Sequence, residues 1–388
     1  MESTPRLYDT LVHVLSQHRN WLDRRHLKTL AWMMVGLLHS RLISLTAWAP
    51  YVQSRAVYAQ SCVRRCDRWL HSKRIDVHRL YGPLMQQALA AWGQNVLYLA
   101  LDTATLWDLY CILRISIISR GRAIPMAWKV LQHSSSSVAY DVYKDVLDKV
   151  ASLLPLHCTV VFCADRGFAD THLRTHLRKL GWHWRIRITR SFWIYRGGHR
   201  PCKASHISLA PGKALCWHEV YVTEKRYGPV HVALARRLQG KEYWLVVSDE
   251  PTDPKTFEEY GLRFAIEENF LDDKSNGFQL ESSHIRAAEA LEHLCLVLAI
   301  TTLYLVSQGT EVVKQGKRRW VDPHWFRGSS YLKIGWNWLK LALSRGYERV
   351  TRLHLPAEAD PEPARASKKR YQKPHTLFLA LEFPDVAA

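Results

Sequence analysis

Between Asn95 and Tyr195 the chain alternates apolar runs of strand length with amphipathic runs of helix length, and their order limits the folds open to it. NVLYLALDTATLW stays apolar up to Asp102. CILRISIISRG and AIPMAWKVL follow as two more strands, joined by a turn at Gly121–Arg122. Ser134–Ser137 reads as a loop and Tyr140–Leu154 as an amphipathic helix. HCTVVFCADRGFAD then gives a short, continuously apolar run, a central strand ending at Asp165, with Gly167 allowing a tight exit. Asp170–Leu180 reads as a basic helix and WHWRIRITRSFWIY as a strand. The order β-β-β-α-β-α-β predicts an α/β fold, a mixed sheet layered by helices.

The flanks differ in kind. Residues 1–90 read as all-helical, with Leu27–Leu38 buried and Ala56–Leu70 amphipathic, and carry 13 Lys/Arg against 5 Asp/Glu. On Ala56–Leu70, Arg64 and Arg68 project together at i, i+4, with Arg65 beside them and Gln60 one turn earlier. Such a helix can enter a major groove, with Gln60 or an Arg reaching base edges and the other cations reaching phosphates. The alternative is a basic surface helix without specificity. Residues 196–249 form a hairpin-rich β segment, punctuated by Gly197-Gly198, Pro211-Gly212 and Gly228-Pro229. Residues 171–245 hold 15 Lys/Arg and 3 Asp/Glu, with five Trp interleaved, a pattern suited to stacking bases and neutralising phosphates. Residues 250–310 return to the core, ending in a buried helix at Ala288–Ser307. Residues 311–350 form a helical C-terminal region, with Val321–Arg345 as its main helix, and 351–388 a flexible basic tail.

Composition narrows the partner. A formal net charge of +19 on 388 residues favours a polyanion, nucleic acid before anionic membrane. The longest uninterrupted apolar run, Leu294–Val306, is shorter than the roughly 20 residues of a membrane span and reads as a core helix. No signal peptide is visible at the N-terminus. The eight scattered cysteines predict reduced thiols in a cytoplasmic protein. Cys62 and Cys66 lie near His71, but no second ligand pair follows at zinc spacing.

Tyr260–Lys274, YGLRFAIEENFLDDK, reads as one helix. At about 100° per residue, Tyr260, Arg263, Glu267 and Lys274 fall within an arc of roughly 60°, while Ile266 and Phe270 anchor the helix in the core. Taken alone, this is equally a solvated face with an Arg263–Glu267 pair. Asp102 and Asp165 alter the balance. Two strand-end carboxylates on neighbouring strands, joined by a Glu on a packed helix, make a site for hard divalent cations, since such carboxylates repel one another without a counter-ion. Asp272 and Asp273 read as solvating the helix end, and Asp108, Asp170 and Glu268 as possible auxiliaries.

These residues resemble the DDE transposases of the IS4 group, insertion-sequence enzymes with a ribonuclease-H-like catalytic core. Tyr260, Arg263, Glu267 and Lys274 match the group's Y-x2-R-x3-E-x6-K signature in full. FAIEENF, ALDTATL and ADRGF are similar to the segments around its Glu and its two Asp. The resemblance covers roughly residues 90–345 and implies a ribonuclease-H-like core (91–195 and 250–310) interrupted by the β-rich insertion, with residues 1–90 in the place of the group's end-binding domain. It implies that Asp102, Asp165 and Glu267 hold two Mg²⁺ ions, with Mn²⁺ as a substitute, for cleavage at element ends and strand transfer into target DNA. It also implies that Tyr260, Arg263 and Lys274 grip the DNA backbone. Trp244, in WLVVSDEP, stands where the group carries a Trp that stacks a flipped base; the alternative is a strand Trp filling the core. Phe264 departs from the Trp that often follows the signature Arg, which weakens the case for a hairpin route.

The implied partners are double-stranded DNA, as terminal inverted repeats and target, and a second copy of the chain in a synaptic dimer. The implied location is the bacterial cytoplasm, on the nucleoid when DNA is bound. Two other readings share these residues: a ribonuclease-H-like nuclease that only nicks, and a DNA-binding regulator that has lost catalysis. The nuclease would not need the basic insertion, and the regulator would be favoured by a missing carboxylate.

Overall fold

The computed structural model describes residues 3–18, 21–53, 57–237, 242–324 and 328–363. The described residues among the first 90 build helices and no strand, as their apolar periodicity predicts: α1 (Ser3–Ser16), α2 (Arg24–Ser40), α3 (Leu45–Trp48), α4 (Ala59–Leu70) and α5 (Val77–Ala88). The Asp23 and Asp76 carboxylates cap α2 and α5 by accepting the backbone N–H groups of Arg25 and Arg79. Position 56, where the sequence starts the fourth helix, lies outside the described residues. These helices share one continuous hydrophobic core with the rest of the chain, running from Leu7 to Leu355. Polar contacts tie them down as well. The Tyr81 hydroxyl donates to the Pro125 carbonyl at 2.6 Å, and His293 Nδ1 meets the Leu70 carbonyl at 2.7 Å.

The strand pattern then forms in order: β1 (Val96–Leu106), β2 (Tyr110–Ser119), β3 (Arg122–Leu131), α6 (Tyr140–Leu153), β4 (Thr159–Ala164), α7 (Thr171–Lys179) and β5 (His183–Arg187). β1, β2 and β3 are an antiparallel meander. β4 pairs parallel to β1, and β5 parallel to β4. This spatial order, β3-β2-β1-β4-β5, with its two parallel crossovers through α6 and α7, is the ribonuclease-H-like sheet.

WHWRIRITRSFWIY departs from its reading as one strand. It divides into β5 and β6 (Trp193–Tyr195), because the backbone turns where the Phe192 N–H donates to the Thr189 carbonyl at 3.3 Å. The segment that follows builds β7 (Cys202–Lys203), β8 (Ala214–Val222), β9 (Tyr227–Arg236) and β10 (Tyr243–Ser248). β10 pairs antiparallel to β5, so these strands extend the same sheet to ten strands, in the order β3-β2-β1-β4-β5-β10-β9-β8-β6-β7.

Four helices complete the described chain: α8 (Lys255–Gly261), α9 (Phe264–Leu271), α10 (Ala288–Lys314) and α11 (Tyr331–Arg345). α10 is long and apolar enough to cross a membrane, but 94% of its most apolar window is buried inside the protein. The helix read from Val321 begins only at Tyr331, where the Ser330 hydroxyl caps it; residues 325–327 lie outside the described set. Residues 351–356 are not a flexible tail. Leu353 and Leu355 are buried, and the Leu355 N–H donates to the Ala88 carbonyl at 2.8 Å. Apolar side chains alternating along that stretch have core to fill. Of the expected tail, 364–388 lie outside the described residues.

α10 and α11 approach backbone to backbone through Gly309 and Gly335. A Cβ at Gly309 would overlap the Tyr331 carbonyl, and one at Gly335 the Leu305 carbonyl. On helix propensity alone, Gly335→Ala would stabilise by ~1 kcal/mol. The close crossing reverses the sign, and a loss of ~3 kcal/mol is expected instead, measurable by urea unfolding.

Candidate active site

The carboxylate site begins with a strand register. β1 and β4 run parallel with Leu101 opposite Ala164, so Asp102 and Asp165, each the next residue, lie side by side where β4 ends. Asp102 is not at the end of its own strand. β1 continues to Leu106, paired only with β2, and Asp102 is exposed to the extent that β4 no longer covers it. Asp165 turns the chain out of the sheet, its carboxylate accepting the Gly167 N–H at 2.5 Å.

Glu267 arrives on α9, but not on one continuous helix. Tyr260–Lys274 breaks into α8, α9 and a π-helical turn, Asp272–Asn276. At the first break the chain tightens to i→i−3 bonds: Arg263 N–H to Tyr260, Ala265 to Leu262 and Ile266 to Arg263. That tightening changes the helical phase, so the signature residues do not share one solvated face. Tyr260 is wholly buried, its ring 5.5 Å from Trp244 and 6.2 Å from Phe264. Arg263 is 4% exposed and bridges two of the carboxylates, with Nη1 2.9 Å from Asp102 and Nη2 2.6 Å from Glu267. Its guanidinium stacks 4.9 Å from the Phe264 ring. Glu267 itself is half exposed. Lys274 crosses to the end of β1, where its Nζ donates to the Thr105 carbonyl at 2.6 Å.

Several expected roles change on placement. Trp244 is buried with Tyr260, Phe257 and Val246 in a small core of its own, as the core-filling alternative requires. Tyr260 belongs to the same cluster, so as placed it backs Arg263 and offers no surface to DNA. Asp272 and Asp273 do not solvate the helix end: both are buried. Asp273 pairs with Arg114 of β2 at 2.7 Å, and Asp272 with Arg122 of β3 at 2.9 Å. Arg114 also donates to Asn269 at 2.7 Å and lies 4.7 Å over the Phe270 ring. Together these bonds clamp the helix of Glu267 onto the sheet. The sequence held a signal for them, since a lone Arg inside CILRISII can be buried only with a partner. Asp108 is an exposed turn residue with φ of 54°, and Asp170 caps α7. Glu268 is 61% exposed and 3.7 Å from Arg122.

On α4, Gln60, Arg64 and Arg68 are exposed, opposite the buried Cys62, Cys66 and Trp69. Arg65 turns away from them, half-buried and within electrostatic reach of Tyr8 on α1. Cys62 and Cys66 are free thiols in the core.

Burial pushes Asp102 up to about 6; Arg263 and the Thr103 N–H oppose this, and Asp165 and Glu267 add to it. Asp165 and Glu267 are thus close enough to act on Asp102, and an all-oxygen donor set of this kind suits a hard divalent cation. Among the described residues, the group whose donors lie within 4.8 Å of one another is a different one, His183, Asp249 and Glu250. Asp102 and Glu267 are drawn to Arg263 instead. Folding raises the Asp102 carboxyl above its ordinary value of 3.8, so the folded state takes up a proton between about pH 4 and 6 and the ionised form costs stability above that window. Asp102→Asn is expected to stabilise the chelator-treated protein by up to ~3 kcal/mol at pH 7.5 and to change nothing at pH 4. Melting curves at the two pH values check this.

Residues 117–304 match the family model of the transposase DDE domain, a span that contains Asp165, Arg263 and Glu267 and begins downstream of Asp102. No curated protein matches the sequence. Among solved structures, the cryo-EM structure of a piggyBac transposase synaptic complex with hairpin DNA aligns with 11% identity and a TM-score of 0.46, covering 100% of this chain and 87% of that one, a likeness too remote to bear on the activity of this chain. The domain match spans just under half of the chain, from the end of β2 to α10, and so takes in β4, α8 and α9 but not β1.

Proposed function

We propose that the chain is a cut-and-paste transposase of the IS4 group, cleaving DNA at the ends of an insertion sequence and joining those ends to target DNA. The observation that carries this reading is the arrangement around Arg263. The signature Arg joins the first carboxylate, Asp102, to the third, Glu267, while the β1–β4 register sets the second, Asp165, beside the first. No carboxylate of the triad is missing, which disfavours a silent regulator, and the basic β strands beyond β5 exceed what a nicking nuclease requires.

Asp102, Asp165 and Glu267 would hold two Mg²⁺ ions, or Mn²⁺ in their place. Such ions activate the attacking oxygen and stabilise the leaving one in an in-line phosphoryl displacement. The chain's own residues prepare that state. Arg263 offsets the charge of Asp102 and Glu267 while the site waits. Its guanidinium suits a phosphate as well as a carboxylate, so an incoming DNA backbone is a competing partner that would free both carboxylates. Lys274, anchored at Thr105, adds a second positive charge at the same strand. The aromatic cluster of Tyr260, Trp244 and Phe264 holds Arg263 in place. Gln60, Arg64 and Arg68 present the surface that would read the terminal repeats. Two ends must be cut and joined together, so the working form is a dimer.

Single Ala substitutions of Asp102, Asp165 and Glu267 test the reading. Each is expected to lower Mg²⁺-dependent cleavage of element-end DNA by ~10³-fold or more while DNA binding persists; near-native cleavage by any one would sink the triad. Arg64→Ala with Arg68→Ala is expected to weaken terminal-repeat binding and to flatten its salt dependence, by about one unit of slope for each phosphate that is no longer neutralised.

A further inference from the structure

The second group of potential metal ligands lies across the sheet from the catalytic carboxylates. β5 pairs with β4 in parallel, with His183 opposite Val161 and Ile186 opposite Ala164. His183 therefore stands about four residues, roughly 13 Å at 3.3 Å per residue, from the strand end that carries Asp165. Asp249 and Glu250 follow directly on β10, whose antiparallel register sets Ser248 opposite Arg185. His183 Nδ1 is 2.8 Å from Asp249 Oδ2 and 3.6 Å from Glu250 Oε1. One donor from each residue lies within 4.8 Å of the other two.

Each carboxylate has one oxygen fixed by the scaffold and the other turned to the imidazole. Asp249 Oδ1 accepts the Trp184 N–H at 2.8 Å, which leaves Oδ2 for His183. Glu250 Oε2 accepts Arg185 Nη2 at 2.7 Å, which leaves Oε1. Arg185 is itself shared with Glu259 of α8 at 2.7 Å. Three carboxylates, Asp249, Glu250 and Glu259, thus meet one guanidinium, an excess of two negative charges. Outer contacts of this kind orient the ligands of a metal. The three donor residues are between 23% and 40% exposed, open enough for an ion to enter.

We infer that His183, Asp249 and Glu250 form a second divalent-cation site, separate from the catalytic triad and selective for an ion of the Zn²⁺ or Co²⁺ class. The imidazole makes the difference: a mixed nitrogen and oxygen set suits borderline transition metals, whereas the all-carboxylate triad suits Mg²⁺. The bound ion replaces the proton that His183 shares with Asp249. It also ties β5 to the end of β10, a few residues before α8, the helix that leads to Arg263 and Glu267. The role is structural, joining the sheet to the segment that carries the third carboxylate.

Titration of the full chain with Co²⁺ in excess Mg²⁺ tests this, with Mg²⁺ occupying any all-oxygen site. One Co²⁺ per chain is expected, with a d–d spectrum lacking thiolate charge-transfer bands and a rise in melting temperature on binding. His183→Ala and Glu250→Gln should each weaken Co²⁺ binding at least tenfold. Glu250→Gln keeps an amide oxygen for Arg185, and its metal-free melting curve should match the parent. Three results would overturn the site: no Co²⁺ bound, thiolate bands showing the ion on cysteines, or unchanged affinity in Glu250→Gln.

Discussion

The parallel pairing of β1 with β4 is the constraint on which the site depends. Two strands that run side by side in the same direction end side by side, so residues one step past a register pair become neighbours however far apart they lie in sequence. Leu101 opposite Ala164 makes neighbours of Asp102 and Asp165. The connection between them runs through β2, β3 and α6, and Asp102 itself is largely buried. That burial, with the nearby negative charge, is what raises Asp102 and gives the site its demand for a cation.

Glu267 reaches this pair because buried charges dock its helix. The π-helical turn after α9 turns Asp272 and Asp273 inward to Arg122 and Arg114, with Asn269 completing the Arg114 contacts. A buried pair of this kind contributes little net stability compared with apolar side chains, but it tolerates few geometries. It sets where α9 lies on β2 and β3, and so where Glu267 stands. Arg263 is held in turn between the carboxylates of Asp102 and Glu267 and the Phe264 ring.

The extended sheet places two charge regimes on one scaffold. Where β4 ends, Asp102 and Glu267 share the Arg263 guanidinium, with Asp165 beside Asp102. Towards the other end of the strands, His183, Asp249 and Glu250 gather at the junction of β5 and β10, where the chain returns from β6–β9. Arg185 connects that junction to α8 through Glu259, so the returning strand and the helix leading to Glu267 are mechanically joined.

By itself the sequence determined the order of strands and helices, the three carboxylates, the signature spacing and the basic helix at Gln60–Arg68. Periodicity and spacing are local properties, and local propensity expresses them. The tertiary structure decided what depended on neighbours distant in sequence. It divided WHWRIRITRSFWIY between two places in the sheet, because a turn at Thr189–Phe192 competed with strand continuation. It buried Tyr260 and Trp244 together and turned Arg263 onto Asp102 and Glu267, because a tightened turn shifted the helical phase. It drew Asp272 and Asp273 into the core, because Arg114 and Arg122 were there to receive them. A charged residue's exposure is set by whether a partner waits inside, and only the assembled sheet supplies that partner.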